Sequence, residues 1–182
     1  MSKIYPEILD RKRQQIFYSF RKVLAKAVLI GGTALALQIK HRRSFDFDLI
    51  TKKPIEKNLL PRLNRVFSSD TIIPQVDSPF VNLYSLYDLA SNKVHAIGRR
   101  GEWKDYVDLF FLLKQKGLNI QRIIKETEKR FSDEFNEKLF WEQLIYWDDI
   151  KDFEIEFIGK PTPREEIQEY FKKLTKNRLS KI

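Results

Sequence analysis

The segment GGTALALQIKHRRSFDFDLI, residues 31–50, constrains the fold of this chain more than any other. It begins with two glycines directly after the apolar run AVLI, and it ends in alternating aromatic and acidic residues. An apolar run that is stopped by glycines is typical of a strand that turns sharply into the next element. We therefore predict a strand, a glycine turn and then a helix that begins near Thr33.

The stretch SFDFDL, from Ser44 to Leu49, has the alternation of a strand. Asp46 and Asp48 would share one face of that strand, because side chains alternate with a period of two. The opposite face would carry Phe45, Phe47 and Leu49. Two carboxylates a few ångströms apart repel each other unless a cation lies between them, and oxygen ligands of this kind suit Mg²⁺. Asp46 and Asp48 are therefore candidate magnesium ligands.

Gly31, Gly32 and Thr33 form a turn where a phosphate could approach the backbone. A backbone without Cβ atoms leaves room for a phosphate, and the first N–H groups of the following helix offer a positive dipole end. Together, the turn and the two carboxylates would form a site for a nucleoside triphosphate, which the turn would hold at one end and Mg²⁺ would bind at the other. Each half alone has a plainer explanation, either a strand-to-helix turn or a solvated strand edge.

The composition excludes several classes of protein. The chain has no cysteine, which rules out disulfides, thiolate nucleophiles and thiolate metal sites. Lys and Arg number 34 against 25 Asp and Glu, and the net charge of +9 favours a polyanionic partner, although a basic surface without a specific patch would have the same composition. The charged N-terminus does not resemble a signal peptide, and no apolar run approaches the roughly 18 residues of a membrane span, so we expect a cytoplasmic protein.

Helical periodicity dominates the rest of the chain. A Ser-x-x-Asp cap at Ser85 opens one predicted helix, and Gly117 ends another. The segment FEIEFIGKPTP is typical of a linker with some strand character, and TIIPQV and FVNLYSL indicate two short strands or extended segments broken by prolines. Helices are predicted at residues 6–26, 54–68, 85–97, 103–116 and 163–177, with one or two more within 119–147.

The segment KVHAIGRRGEWKDYVDLFFLL carries a second group of charged residues. On its predicted helix Lys104 lies one turn before Asp108, and Asp105 and Asp108 are i,i+3 neighbours. The ordinary explanation is a set of charge pairs on the wet side of an amphipathic helix. If they converge beside the Asp-x-Asp strand, the cations of this segment would instead suit a triphosphate or an RNA backbone. These cations are Lys93, Arg99, Arg100 and Lys104.

Taken together, these segments resemble the AbiEii/AbiGii-type nucleotidyltransferase toxins of the DNA polymerase β-like superfamily. The similarity rests on LIGGTALALQIKHRRSFDFDLIT, on KVHAIGRRGEWKDYVDLFFLL and on FWEQLIYWDDI, and it spans nearly the whole chain. The family's first motif joins the Gly-Gly-Thr turn to His-Arg-x-Ser-x-Asp-x-Asp, here His41, Arg42, Ser44, Asp46 and Asp48. Its later motifs carry over onto Lys93, Arg100, Lys104, Asp105 and Asp108.

The resemblance implies an α+β fold, with a nucleotidyltransferase-like mixed sheet flanked by helices and a helical C-terminal region. We place the core at residues 1–117 and the helical region, packed on the core, at 118–182. The implied activity is transfer of a nucleotide from an NTP to an acceptor such as tRNA or another RNA, with Mg²⁺ as cofactor and an antitoxin protein as partner. The cations predicted to follow the RNA backbone are Lys12, Arg13, Arg21, Lys22, Arg99 and Arg100.

The implied mechanism assigns a role to each motif. Asp46 and Asp48 hold Mg²⁺, which clamps the triphosphate during in-line attack by an acceptor hydroxyl. Lys104 neutralises the leaving pyrophosphate, and Asp105 or Asp108 orients that lysine or accepts the acceptor's proton. The residues implied to bind the nucleotide are Gly31, Gly32, Thr33, Ser44, Lys93 and Arg100.

The stretch between Leu49 and Asn92 departs from the family pattern. It is short, it contains four prolines, and it shows no evident third carboxylate, for which only Asp70 and Asp77 are candidates. Two alternatives therefore stay open: a catalytically degenerate module that binds nucleic acid or protein, and an enzyme that modifies a small molecule as antibiotic-modifying nucleotidyltransferases do. His41 and His95 are either polar packing residues or nucleotide contacts.

Overall fold

The computed structural model describes residues 3–23, 27–51 and 82–179. The chain forms two compact units, Met1–Tyr84 and Ser85–Ile182. The described part of the first unit holds a small sheet and two α-helices, and the described part of the second is helical. The predicted α+β class with a mixed sheet is confirmed. The domain boundary placed after residue 117 stays a prediction, as do the helix over 54–68 and the strand in TIIPQV, which lie outside the described residues.

A short central strand connects the two others in the sheet of the first unit. Its strands are β1 (Ala27–Ile30), β2 (Asp48–Thr51) and β3 (Asn82–Leu83), in the order β2-β1-β3. β1 runs antiparallel to β2, with Ile30 opposite Asp48, and parallel to β3. Because Ile30 is the last residue of β1, this register brings the start of β2 beside the turn that follows β1.

Helix α1 (Arg11–Val23) begins five residues later than predicted. Pro6–Ile8 forms a separate 3-10 turn, and the carboxylate of Asp10 accepts the N–H of Arg13 at 2.9 Å. An aspartate that satisfies a free N–H of the first helical turn is a typical N-terminal cap, so Asp10 marks where the helix begins. Phe17 and Phe20 then bury the inner face of α1.

Helix α2 (Gly31–Ile39) follows β1 without a connecting loop. Gly31 makes this possible, because its φ of +74° lies in the left-handed region that other residues avoid. The helix is buried along nearly its whole length and supplies the core of the first unit with Leu35, Leu37 and Ile39. It ends at Lys40, whose φ is 53° and whose N–H bonds the Ala36 carbonyl at 2.8 Å.

The second unit is built from helices around an apolar core. These helices are α3 (Leu86–Arg100), α4 (Trp103–Lys114), α5 (Ile120–Phe131), α6 (Glu137–Leu144) and α7 (Arg164–Leu179). The predicted cap is confirmed, since Ser85 Oγ accepts the N–H of Asp88 at 3.1 Å. Gly117 lies past the end of α4 with a φ of +64°, as expected. The segment FEIEFIGKPTP is a linker without a full strand, in which Phe157 forms an isolated β-bridge, in agreement with its predicted strand character. Within the described residues, no helix is long and apolar enough to cross a membrane.

Candidate functional site

Gly31 lets the backbone of the turn lie against the carboxylate of Asp48. A Cβ atom placed on Gly31 would clash with Asp48 Oδ2, and the positive φ of this residue strains any other side chain. The pairing of Ile30 with Asp48 across the sheet creates this close approach. The positive φ therefore favours glycine at position 31, and a larger residue would in addition displace the side chain of Asp48, independently of any contact with a phosphate.

Gly32 lies against the side chains of Arg42 and Ser44. A Cβ atom on Gly32 would stand 2.8 Å from Arg42 Nη2 and 3.0 Å from Ser44 Oγ. Arg42 is 6% exposed, and its Nη1 donates a hydrogen bond to the Arg43 carbonyl at 2.9 Å. Guanidinium and hydroxyl groups are good phosphate ligands, so Arg42 joins the candidate site. The sequence motif contains Arg42, but nothing in the spacing of residues indicates that it folds back onto Gly32.

Thr33 connects the glycine turn to the acidic segment. Its hydroxyl is hydrogen-bonded to Ser44 Oγ at 2.9 Å and donates to the Asp46 carbonyl. Thr33 is 1% exposed, whereas the side chain of Asp46 is exposed to solvent. In the structure Thr33 therefore holds the loop that carries Asp46, which is a different role from the predicted contact with a phosphate oxygen.

The acidic segment is a loop that leads into a strand, which corrects the strand predicted from Ser44 to Leu49. β2 starts only at Asp48, so Asp46 lies before it. The physical reason is that Ser44 and the Asp46 carbonyl are bonded to Thr33 on α2 instead of to a neighbouring strand. Both aspartates are nevertheless exposed, as the predicted alternation requires.

The phenylalanines of this segment contact helix α1. The ring of Phe47 lies 4.9 Å from that of Phe20 and 6.5 Å from that of Phe17, measured between centroids. Phe45 lies under the guanidinium of Arg13 and remains 43% exposed. Phe47 and Leu49 are less exposed than the two aspartates, as the predicted alternation requires, whereas Phe45 is exposed.

Asp46 and Asp48 are suitable ligands for Mg²⁺ that arrives with a nucleotide. Mg²⁺ is usually held by one or two carboxylates, with waters and substrate phosphates completing its shell. The described residues contain no group of three or more His, Cys, Asp or Glu that could hold a metal ion by itself. The candidates for a third carboxylate, Asp70 and Asp77, lie outside the described ranges.

In the second unit, Lys93 on α3 is held between two aspartates of α4. Its Nζ atom lies 2.7 Å from Asp105 Oδ1 and 2.9 Å from Asp108 Oδ2. Lys93 and Asp105 are each 8% exposed, and Asp108 is fully buried. Burial alone would lower the pKa of Lys93, but the charges of Asp108 and Asp105 outweigh it and raise the pKa above the ordinary lysine value. Lys93 is therefore a buried ammonium ion at neutral pH.

Lys104 is half exposed and pairs with Glu102 at 2.6 Å, not with the aspartates. The expected contact of Asp105 and Asp108 with Lys104 is made by Lys93 instead. Asp105 also accepts the Glu102 N–H at 3.0 Å, within a reciprocal capping box at the start of α4. Sequence spacing along one helix could not show this arrangement, because the lysine comes from a different helix. The side chain of Arg100 lies outside the described part of the structure.

His95 is a packing residue in its contacts, and His41 is buried. His95 stacks on Phe131 with ring centroids 3.8 Å apart and ring planes 3° from parallel. Burial and the charge of Arg99 lower the pKa of His95, so it is neutral at physiological pH. His41 is 3% exposed. The stacking of His95 is a packing contact, whereas the choice between polar packing and a nucleotide contact stays a prediction for His41.

Among the comparisons with known proteins, the family match lies mainly in the second unit, whereas the similarity to a relative extends over most of the chain. The model of the family described as "Nucleotidyl transferase AbiEii toxin, Type IV TA system" matches residues 68–180. An uncharacterized protein of Aquifex aeolicus (strain VF5) is 30% identical over 182 residues, covering 83% of this chain and 87% of that protein. No solved structure matches the chain. The family match includes Lys93, Asp105 and Asp108 and begins after Asp48, so the glycine turn is evidence independent of it.

Proposed function

The chain belongs to the AbiEii nucleotidyl transferase toxin family, and from this we propose that it transfers a nucleotide from an NTP to an RNA acceptor such as tRNA. In this proposal it is the toxin of a type IV toxin–antitoxin pair. The observation that best supports the activity is the close packing of the glycine turn against the acidic segment. The residues of this packing are Gly31, Gly32, Thr33, Arg42, Ser44 and Asp48.

In the proposed reaction, the hydroxyl of the acceptor attacks the α-phosphorus of the NTP. An oxygen–phosphorus bond to the acceptor forms, the bond between the α-phosphorus and the oxygen that bridges to the β-phosphate breaks, pyrophosphate leaves, and the proton of the hydroxyl passes to solvent water. Mg²⁺ held by Asp46 and Asp48 would neutralise charge on the phosphate oxygens. Arg42 and Ser44 would bind phosphate oxygens beside Gly32, and Thr33 would keep the Asp46 loop in place.

Buried and exposed lysines take different parts in this proposal. Lys93 is enclosed by Asp105 and Asp108, so we assign these three residues the role of a fixed ion cluster. Lys104 has a half-exposed side chain that pairs with Glu102, so it lies outside this cluster, and its role in neutralising pyrophosphate stays a prediction from the sequence.

The distribution of charge supports a polyanionic acceptor over a small molecule. Residues 1–84 contain 15 Lys and Arg against 7 Asp and Glu, whereas residues 85–182 contain 19 against 18. The basic excess therefore belongs almost entirely to the unit that carries the glycine turn and the two aspartates. A positive field of this kind attracts a nucleic-acid backbone and gives no advantage to a neutral small acceptor.

The test is incubation of the full-length protein with each labelled NTP, Mg²⁺ and total tRNA, followed by gel separation. We expect label on RNA with the wild-type protein and none after chelation of Mg²⁺. Asp46→Asn and Asp48→Asn should each abolish transfer and leave the fold intact, because both side chains are exposed. Asp152→Asn, which changes an exposed aspartate of the second unit, is the matched control and should transfer normally.

The outcomes separate the proposal from its alternatives. Label on a small molecule or on protein would overturn the RNA acceptor. Wild-type protein that binds RNA but transfers no nucleotide would indicate the non-catalytic module. Aspartate variants that transfer at the wild-type rate would refute the metal-binding role of Asp46 and Asp48.

A further inference from the structure

Phe45 is an exposed aromatic residue inside the acidic segment. It lies between Ser44 and Asp46, and 43% of its surface is exposed. Phe47, two residues later, packs against Phe17 and Phe20 and fills the core beneath this segment. Packing of the core therefore does not require a large apolar ring at position 45.

Arg13 of α1 fixes one side of this ring. Its guanidinium carbon lies 4.9 Å from the ring centroid, and its Nε donates a hydrogen bond to the Phe45 carbonyl at 2.9 Å. The same guanidinium pairs with the carboxylate of Asp10. The backbone N–H and the guanidinium of Arg13 keep the pKa of Asp10 below its ordinary value, so this ion pair is present at neutral pH.

The backbone around Phe45 is also anchored from the opposite direction. Thr33 donates to the carbonyl of Asp46, the next residue along the chain. Phe45 therefore lies between two fixed points, one on α1 and one on α2. A surface that is already ordered costs little conformational entropy when a ligand binds to it.

We propose that Phe45 and Arg13 form a platform on which an unpaired base of the acceptor RNA stacks, beside Asp46. Bases of single-stranded RNA stack on exposed aromatic rings and on arginine guanidinium planes. This inference rests on the proposed function, because it names a binding surface for the RNA acceptor of that reaction. Since every base has a π face, the platform fixes the position of the strand and is tolerant of its sequence.

The charges around the platform favour nucleic acid over an apolar protein segment. Arg11 and Lys12 precede Arg13 on α1, and Arg43 precedes the acidic segment, and all three side chains are exposed. The phosphates on either side of a stacked base could pair with these cations, which belong to the same unit as the platform. An apolar partner would have to desolvate them without offering them an anion, which is unfavourable.

A short single-stranded RNA with 2-aminopurine at its 3′ end tests the platform without NTP or Mg²⁺, because stacking quenches the fluorescence of this base. Wild-type protein is expected to bind the RNA and quench it. Phe45→Ala should weaken binding about tenfold, equivalent to about 1.4 kcal/mol, and remove most of the quenching. Phe45→Trp should retain both properties. Tyr146→Ala, which removes an aromatic side chain of similar exposure, 45%, from the second unit, is the matched control and should behave as wild type.

Different results test the platform and the proposed function. Wild-type affinity and quenching in Phe45→Ala, or an equal loss in Tyr146→Ala, would overturn the platform. If the wild-type protein quenches the RNA through Phe45 but transfers no nucleotide from any NTP, the platform stands and the proposed transferase activity fails. If nucleotide is transferred to RNA and Phe45→Ala has wild-type affinity and quenching, the transferase proposal stands and the platform fails. If Phe45→Ala does not keep the wild-type thermal unfolding profile, Phe45→Trp and Phe45→Leu are compared instead, because both keep bulk at this position. Loss of RNA binding and quenching in the leucine variant alone supports stacking. Equal binding by both variants overturns it.

Discussion

Replacing Lys93 by methionine is expected to destabilise the second unit by about 3–5 kcal/mol, the usual cost of removing one partner from a buried ion pair. Methionine keeps most of the aliphatic length of the side chain, so the change removes the charge and leaves the packing nearly intact. What remains are two carboxylates, one 8% exposed and the other fully buried, without the ammonium that lies within 3 Å of both. The cost is therefore electrostatic.

The two carboxylates are not expected to share this cost equally. Asp108 is the more deeply buried of the two. Adding Asp108→Asn to Lys93→Met should consequently recover part of the lost stability, so that the double variant is more stable than the sum of the two single changes.

The tryptophans make this measurement specific, because Trp103, Trp141 and Trp147 all belong to the second unit. Urea titration followed by tryptophan fluorescence therefore reports the unfolding of that unit. Lys104→Met is the matched control: this lysine is half exposed, its pair with Glu102 is a surface ion pair, and its loss should cost no more than about 0.5 kcal/mol. A Lys93→Met variant within 1 kcal/mol of wild type would refute the argument that the cluster is a buried, mutually dependent set of charges.

The pH dependence of the same difference has a defined sign. The folded-state pKa of Lys93 is raised above 10.5, so its stabilising contribution is complete below that value. It is lost as the pH rises through the raised pKa. The stability gap between wild type and Lys93→Met should thus be constant near neutral pH and should narrow only above about pH 10.5.

Three further predictions follow from other parts of the structure. Gly31→Ala should lose at least about 1 kcal/mol of stability in the first unit, measured by urea denaturation followed by circular dichroism, because its Cβ clashes with Asp48 and its φ is positive. The lowered pKa of His95 means that its contribution to stability is present above pH 6.5 and is lost as the pH falls through the lowered value, so His95→Gln should flatten this acid-side decline in the tryptophan-monitored unfolding. Binding to tRNA should weaken steeply with added salt, and Lys12→Glu should reduce the affinity about tenfold at low salt for different RNA sequences alike, in a filter-binding assay.

Local signals in the sequence were sufficient for several elements. Ser85 bonds the N–H of a residue three positions later, and Gly117 adopts the positive φ that ends a helical region. Such signals involve neighbours in the chain, so their physical meaning does not depend on the rest of the fold. Asp10 was a signal of the same kind that the prediction missed, since an aspartate three residues before Arg13 is enough to indicate where α1 begins.

Contacts between distant residues explain where the prediction failed. Strand β2 starts at Asp48 and not at Ser44, because Thr33, on another element, is hydrogen-bonded to the segment in which the strand is predicted. Lys93 replaced Lys104 beside the aspartates because α3 and α4 pack against each other, whereas spacing on one helix compares only residues of that helix. In both cases a polar partner on another element, which the hydrophobic pattern does not show, determines the local structure.

The glycine turn and the acidic segment act as one structural unit. The side chain of Asp48 lies against Gly31, and those of Arg42 and Ser44 lie against Gly32, so a Cβ atom at either position would displace them. The sequence alone suggests that the two glycines leave room for a phosphate, but in the structure protein side chains lie against both. A phosphate at this turn would therefore be bound by Arg42 and Ser44 together with the helix N-terminus, and not by the glycine backbone alone. Because these side chains lie against the glycines, a substitution in the turn should displace Asp48, or Arg42 and Ser44, before it alters any direct contact with a nucleotide.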